Sequence, residues 1–308
     1  MEIAFFTEMG FDGKVPRNHP NMRTEFAWMC ALEADHYSII QAPFITKKYD
    51  LGIVIIPKKN PDFDINSLKQ SCNKVAVMQE GPNWYWQDYD LPKQIWYYNT
   101  LTSADIIFTH NKVDKKYYQG LTNHKDVRVL QSLMIEDAID IDALMPSKYR
   151  GEVIIGGNFV SWYGGFDSYI VASEISDKVF APSMGRKQVD EEQLLTHLPY
   201  LNWRDWITQL SKFKYGVHLM RTHAAGTFAL NCAYLGIPCI GYYGLDTQET
   251  CHPDLTVEVG DLVTAKKLIT LLRDDKEFYQ NCSNDAKQYY RYCYSEEKFK
   301  QIFYDTFI

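Results

Sequence analysis

Residues 215–243 read Tyr-Gly-Val-His-Leu-Met-Arg221-Thr-His223-Ala-Ala225-Gly226-Thr227-Phe-Ala-Leu-Asn231-Cys-Ala-Tyr-Leu-Gly236-Ile-Pro238-Cys-Ile-Gly-Tyr-Tyr. The apolar run at 215–220 predicts a buried strand. A short helix follows over 227–235, stopped by Gly236 and Pro238, and a second strand covers 238–242. Between strand and helix, Ala224, Ala225 and Gly226 are small enough for backbone N–H groups to approach an anion. Thr227 can add a hydroxyl, and the helix N-terminus adds a favourable dipole. The segment therefore reads as a diphosphate cradle without a Walker lysine, with Arg221 and His223 in the same loop. An ordinary strand–loop–helix connection of an α/β domain has the same local pattern.

Outward from this stretch, apolar strand-like runs alternate with amphipathic ones. Strands are predicted at 2–6, 51–56, 75–78, 105–109 and 127–131, and helices at 21–32, 92–103 and 111–118. Asn21 is the expected N-cap of the first helix, with Glu25 in its first turn. The pattern lapses in an acidic stretch, then restarts. Strands follow at 153–155, 178–181, 215–220, 238–242 and 255–259, and helices at 167–175, 202–213, 227–235 and 261–272. A helical tail covers 276–292 and 296–303. Such alternation predicts two doubly wound (Rossmann-like) α/β domains facing a cleft. The expected division is 1–134 for the first domain, 135–150 for a linker and 151–290 for the second domain. Residues 291–308 form a C-terminal helix that can cross back to the first.

The chain has 308 residues, 46% hydrophobic and 23% charged, as expected of two globular domains. Aromatic residues reach 15%, including 22 Tyr and 7 Trp, which points to a surface that stacks on flat groups as well as a core. The net charge is −7, shared as −2 over residues 1–150 and −5 over the rest, so neither half has the basic balance of a typical duplex-DNA binder. Seven scattered cysteines without a C-x-x-C pair read as free thiols of a reducing cytoplasm. The N-terminus lacks the pattern of a secretory signal, and no apolar run approaches the roughly 20 residues of a membrane span.

Three further clusters carry chemistry. The first is Ile154-Ile-Gly-Gly157-Asn158-Phe-Val-Ser-Trp-Tyr-Gly-Gly-Phe166, where a strand ends in paired glycines. Ligands of open α/β sheets bind beyond such strand ends, so Gly157 and Asn158 are candidate ligand contacts. Arg186 and Lys187, after the next strand, could supply positive charge or form a solvated pair. The second is Met78-Gln-Glu80-Gly-Pro-Asn-Trp84-Tyr-Trp86-Gln-Asp88-Tyr89. Glu80 lies just past a strand end, suited to a general base, with Asp88 the second choice and a capping carboxylate the simpler alternative. Trp84 and Trp86 could stack on a sugar or a base, or simply pack the loop. The third is the long loop after the first strand, where Gly10, Asp12, Arg17 and His19 are candidate cleft residues. No Asp-x-Asp pair lies in a strand-flanked loop. Asp88-Tyr-Asp90 has the spacing but an aromatic setting.

The segment around Gly226 and Gly236-Ile-Pro238 resembles the nucleotide-sugar motif of GT-B glycosyltransferases. The Gly-Gly segment and the acidic post-strand loop resemble bacteriophage DNA (5-hydroxymethylcytosine) glycosyltransferases of the T-even β-glucosyltransferase type. The resemblance implies an enzyme with a GT-B fold, a donor domain in the second half and an acceptor domain in the first. It implies a UDP-sugar donor (glucose, or a pentose such as arabinose) and double-stranded DNA as acceptor, in the cytoplasm of a host. Together with the lack of a strand-flanked Asp-x-Asp pair, the GT-B resemblance implies that no metal or other cofactor is expected. Asn231 falls where the family usually has a ribose-binding carboxylate. With no acid on that helix, the resemblance implies inversion with Glu80 as base. A DNA acceptor would need Lys47, Lys48, Lys58, Lys59, Lys112, Lys115 and Lys116 gathered on one face. A polysaccharide, lipid-linked or small-molecule acceptor, and a non-catalytic nucleotide-binding protein, are the alternatives.

Overall fold

The computed structural model describes residues 1–9, 13–58, 63–123, 126–183 and 189–307. The first half contributes strands β1 (Ile3–Thr7), β2 (Gly13–Lys14), β3 (Asp35–Ser38), β4 (Tyr49–Ile55), β5 (Cys72–Met78), β6 (Ile106–Thr109) and β7 (Val127–Val129). They form one sheet in the order β2-β3-β1-β4-β5-β6-β7, parallel except for the β2–β3 pair. The central strands are apolar throughout because both faces are covered. Ile3, Phe5, Leu51, Ile53, Met78 and Phe108 join one core cluster, and Ala4, Phe6, Val54, Val77 and Ile107 another. Helices α1 (Thr24–Ala31), α2 (Leu91–Ser103) and α3 (Lys112–Thr122) connect them.

The second half repeats the scheme with β8 (Gly151–Ile155), β9 (Val179–Pro182), β10 (Leu195–Leu198), β11 (Phe213–His218), β12 (Cys239–Tyr242) and β13 (Thr256–Val257). These form a parallel sheet in the order β10-β9-β8-β11-β12-β13. Helices α4 (Gly165–Ala172), α5 (Trp203–Leu210), α6 (Thr227–Leu235), α7 (Asp246–Cys251) and α8 (Leu262–Asp274) flank it. Two doubly wound α/β halves are therefore present. Helices α9 (Lys276–Cys293) and α10 (Glu296–Asp305) close the chain.

The last helix packs against the first half. Phe303 stacks on Phe108 with centroids 6.3 Å apart, and Arg128 Nη1 donates to the Thr306 carbonyl at 2.7 Å. Arg17 donates to both oxygens of Glu296 at 3.0 and 2.7 Å and to Asp137 at 2.7 Å. One apolar cluster runs through both halves, from Phe5 and Leu133 to Phe228 and Leu230. Among the described residues no helix is long and apolar enough to cross a membrane.

The start of the first helix needs correction. It begins at Thr24, with Arg23 in the N-cap position and no side-chain cap, so Asn21 does not cap it. Thr24 holds φ at 28°, a conformation that a β-branched residue avoids. The chain turns sharply there and carries Asn21 into the cleft wall instead.

Candidate active site

Glu80 and His110, just past strands of the first half, and Gly157, Pro182 and His218, at strand ends of the second, line one cleft, the usual ligand position for open α/β sheets. The cleft encloses about 340 Å³. The second half builds its floor from Gly157 after β8, His218 at the end of β11, and Ala224, Ala225, Gly226 and Thr227 at the start of α6. Gly226 is left-handed, with φ at 65°, and a Cβ there would lie 2.0 Å from Thr247 Oγ1. That hydroxyl donates to the Gly226 carbonyl at 2.9 Å, so only glycine fits this close brace. Asn231, one face further along α6, also lines the cleft and is buried.

Several polar groups in or beside this floor lack partners among the described residues. Both ring nitrogens of His218, Nδ1 of His110 and Oδ1 of Asn158 are buried and unbonded. Burial pushes the pKa of His218 and of His110 down to about 4, so both imidazoles are neutral at pH 7. The His218 ring lies against Phe228, centroids 5.2 Å apart, and a Cβ on Gly156 would meet its Cγ at 2.5 Å. Neutral rings and amides with free capacity suit hydroxyl or phosphate oxygens of a bound ligand.

The first half supplies two carboxylates. Glu25, in the first turn of α1, and Glu80, after β5, line the same cleft. Burial, and then repulsion from Glu80, raises the Glu25 pKa to about 7. Glu80 sits at the rim, its side chain 52% exposed and bonded to Lys58 Nζ at 3.1 Å. Lys58 also lies 5.3 Å from the centre of the Tyr85 ring, and Lys93 lies 3.8 Å from that of Tyr89. The mouth beside Glu80 is thus basic and aromatic.

Of the residues anticipated from the sequence, Glu80, Gly157, Ala225, Gly226, Thr227 and Asn231 line the cleft. Asn158 is buried next to Gly157 without being part of the lining. Arg221 is exposed and bonded to Asp167 at 2.8 Å. His223 is half-buried against Gly244, and burial lowers its pKa. Arg17 is committed to Glu296 and Asp137, and His19 stacks on Phe26 at 4.9 Å. Trp84 meets Trp162 of the second half edge-on at 6.5 Å. Trp86 stacks on Tyr97 at 5.2 Å, its indole N–H bonded to Tyr117. Asp88 is exposed and does not line the cleft. Gly10, Asp12, Arg186 and Lys187 lie outside the described residues. Among the described residues no cluster of three or more His, Cys, Asp or Glu could hold a metal ion.

The anticipated lysines do not share one face. Lys47 and Lys48 precede β4, at the end of the strands away from the cleft, and Lys47 is paired with Glu2 and Asp35. Lys58 follows β4, and Lys112 opens α3, at the cleft edge. Lys59 is outside the described residues. Sequence reasoning missed Glu25, His110 and His218 as site residues. Glu25 was visible as a first-turn acid, and both histidines stand at strand ends, where such folds place their ligands.

No family model matches the chain, and no curated protein matches its sequence. Solved structures do match its shape along its whole length. Anabaena Alr3699/HepE in complex with UDP-glucose aligns with a TM-score of 0.69 at 10% identity, covering 100% of this chain and 99% of that one. Sucrose-phosphate synthase from Thermosynechococcus elongatus gives 0.69 at 10% identity, with the same coverage. An alpha-glucosyltransferase in complex with UDP and a 13-mer DNA containing a HMU base gives 0.68 at 12% identity, covering 99% and 98%. The chain is similar to these in fold, and that fold is the GT-B architecture of two Rossmann-like halves.

Proposed function

We propose that this chain is a glycosyltransferase that moves a sugar from a UDP-sugar to a hydroxyl acceptor. The observation that carries this reading is the cleft itself. The backbone cradle at Gly226 and Thr227 faces, across a space of about 340 Å³, a carboxylic acid whose pKa stands near 7. The α6 N-terminus would hold the diphosphate and stabilise its departure without a metal. Asn231 and the neutral rings of His110 and His218 would meet ribose or sugar hydroxyls.

A general base works best with a pKa near the operating pH, and Glu25 has that property. The sequence pointed to Glu80, which here is bridged to Lys58 at the rim. We assign proton abstraction to Glu25, whose pKa burial raises, and give Glu80 the role of a nearby charge that raises it further. Attack on the sugar by an acceptor activated from this side favours single displacement with inversion. Retention is the second reading, supported by the name of the alpha-glucosyltransferase neighbour.

For the acceptor, the reading is 5-hydroxymethylcytosine in DNA, met by the small basic rim at the cleft mouth, since the single lysine face expected from the sequence is not formed. A fold neighbour bound to UDP and to DNA with a HMU base supports it, as does the rim of Lys58, Lys93, Tyr85 and Tyr89 beside Glu80. The dispersal of the other lysines favours a carbohydrate or small-molecule acceptor as the alternative. The test is UDP release from UDP-glucose and UDP-arabinose with 5-hydroxymethylcytosine DNA, unmodified DNA and no acceptor. Release that depends on the modified base is expected, and proton NMR of the product gives its anomeric configuration. Free UDP at a hundredfold excess over its Kd should stabilise the fold by about 2–3 kcal/mol. The absence of any nucleotide-induced thermal shift would remove the donor reading.

A further inference from the structure

The loop that carries Glu80 and the loop that opens α6 belong to different halves, yet a chain of side-chain amides joins them. Asn83 Nδ2, three residues after Glu80, donates to Asp114 Oδ1 at 2.8 Å. Asn111 Nδ2 donates to the other oxygen, Asp114 Oδ2, at 3.0 Å, and also reaches the Ala224 carbonyl of the opposite half at 3.4 Å. Asp114 is buried in the first turn of α3, and its own N–H is capped by Asn111 Oδ1 at 2.8 Å. Two further bonds run beside this chain. Ser132 Oγ donates to the Ala225 carbonyl at 2.7 Å. The Lys112 N–H donates to Asp246 at 3.3 Å, and the next residue, Thr247, braces Gly226.

The chemistry of Asp114 decides what this chain can do. An ionised carboxylate accepts at both oxygens, so it can hold two amide donors at once. An isosteric Asn has one acceptor and would turn its NH2 toward one of those donors. A partly satisfied buried network is worse than none, because it leaves a polar group desolvated and facing its like. The cap of α3 is made by Asn111 Oδ1, which accepts the Asp114 N–H, so the cap does not need the Asp114 carboxylate. The carboxylate's bond to Asn83 serves the acceptor-side loop instead.

We propose that Asp114 is a positioning residue that ties the loop bearing Glu80 to the diphosphate loop through Asn83 and Asn111. The half that binds the donor and the half that carries the carboxylates are thereby held in register. This inference rests on the reading of the site as a UDP-sugar cleft for its catalytic consequence, but not for the structural coupling itself.

The test uses the full chain with Asp114→Asn and Asn83→Ala, the second leaving the α3 cap intact. Hydrogen exchange without nucleotide should show faster exchange at 222–227 in both variants, although both substitutions lie in the other half. With UDP as probe, affinity should stay within about twofold. Turnover should fall about tenfold to a hundredfold with little change in donor KM, as expected when reacting groups are displaced by a fraction of an ångström to an ångström. Folded variants whose 222–227 amides exchange as in the parent chain would overturn the proposal. Should UDP fail to bind the parent chain, the function reading falls, while the exchange experiment still decides the coupling.

Discussion

Replacing Glu80 by Gln should move the pH dependence of turnover without abolishing it. Burial is the larger cause of the raised Glu25 pKa, and the Glu80 charge is the next. Two carboxylates several ångströms apart at an effective dielectric constant of roughly 20–40 repel by about 1–2 kcal/mol, or about one pK unit. With Glu80 neutral, burial still raises the Glu25 pKa against the lowering pull of Lys58 and Arg23, so the value should drop from about 7 by about one unit. A base acts when deprotonated. The acidic limb of kcat/KM against pH, which reports the free enzyme, should therefore sit near 7 in the parent chain and about one unit lower in Glu80→Gln. Glu25→Gln should lose about two to four orders of magnitude and show no such limb.

Stability gives an independent sign. The folded Glu25 pKa lies above its unfolded value, so the native state binds a proton that the unfolded chain releases between about 4.5 and 7. Its contribution to stability falls as pH rises through that window. Glu25→Gln should accordingly raise Tm by a few degrees at pH 8 and leave it unchanged at pH 4. A limb that stays in place in Glu80→Gln, or a Glu80→Gln enzyme that is dead beside an active Glu25→Gln, would return the base to Glu80.

Two further expectations follow from the geometry. Gly226→Ala places a Cβ against Thr247 Oγ1 in a left-handed backbone, so UDP affinity should fall about tenfold or more while the rest of the fold survives; unchanged affinity by calorimetry would move the diphosphate away from α6. If DNA is the acceptor, binding should weaken with salt at a log–log slope of only about 2–4, because few lysines stand at the cleft mouth, and Lys58→Ala with Lys93→Ala should reduce that slope by roughly the number of contacts removed.

The double alternation of strands and helices was legible because parallel strands buried on both faces are continuous apolar runs, as in 51–56. Three strands escaped that criterion, the two-residue β2 among them. The β3 sequence is Asp-His-Tyr-Ser, which carries little apolar signal, and it is specified by its pairing with β1 rather than by its composition. The β10 sequence, Leu-Thr-His-Leu, is a short edge strand without a continuous apolar run, its two end leucines buried. The site divides along the same line. The loop at 224–227 is local, a run of small residues between a strand and a helix, so the sequence displays its place in the cleft. Side chains that act at a distance from their own segment do not show themselves in this way. Arg17 looked like a cleft cation, but a glutamate 279 residues later takes its guanidinium. Glu25 looked like a helix-start acid. Its raised pKa depends on the turn at Thr24 and on Glu80, which reaches the cleft from another strand end. His218 ends a readable strand, but its buried, unbonded ring is packed by Gly156, just past the neighbouring strand, and by Phe228, which its own segment does not reveal. A residue's chemistry in this cleft is therefore fixed by what faces it from the other strand ends, and the Asp114 network is the clearest case. Its three members look like a helix cap and a loop amide until the carbonyl of Ala224 is seen opposite them.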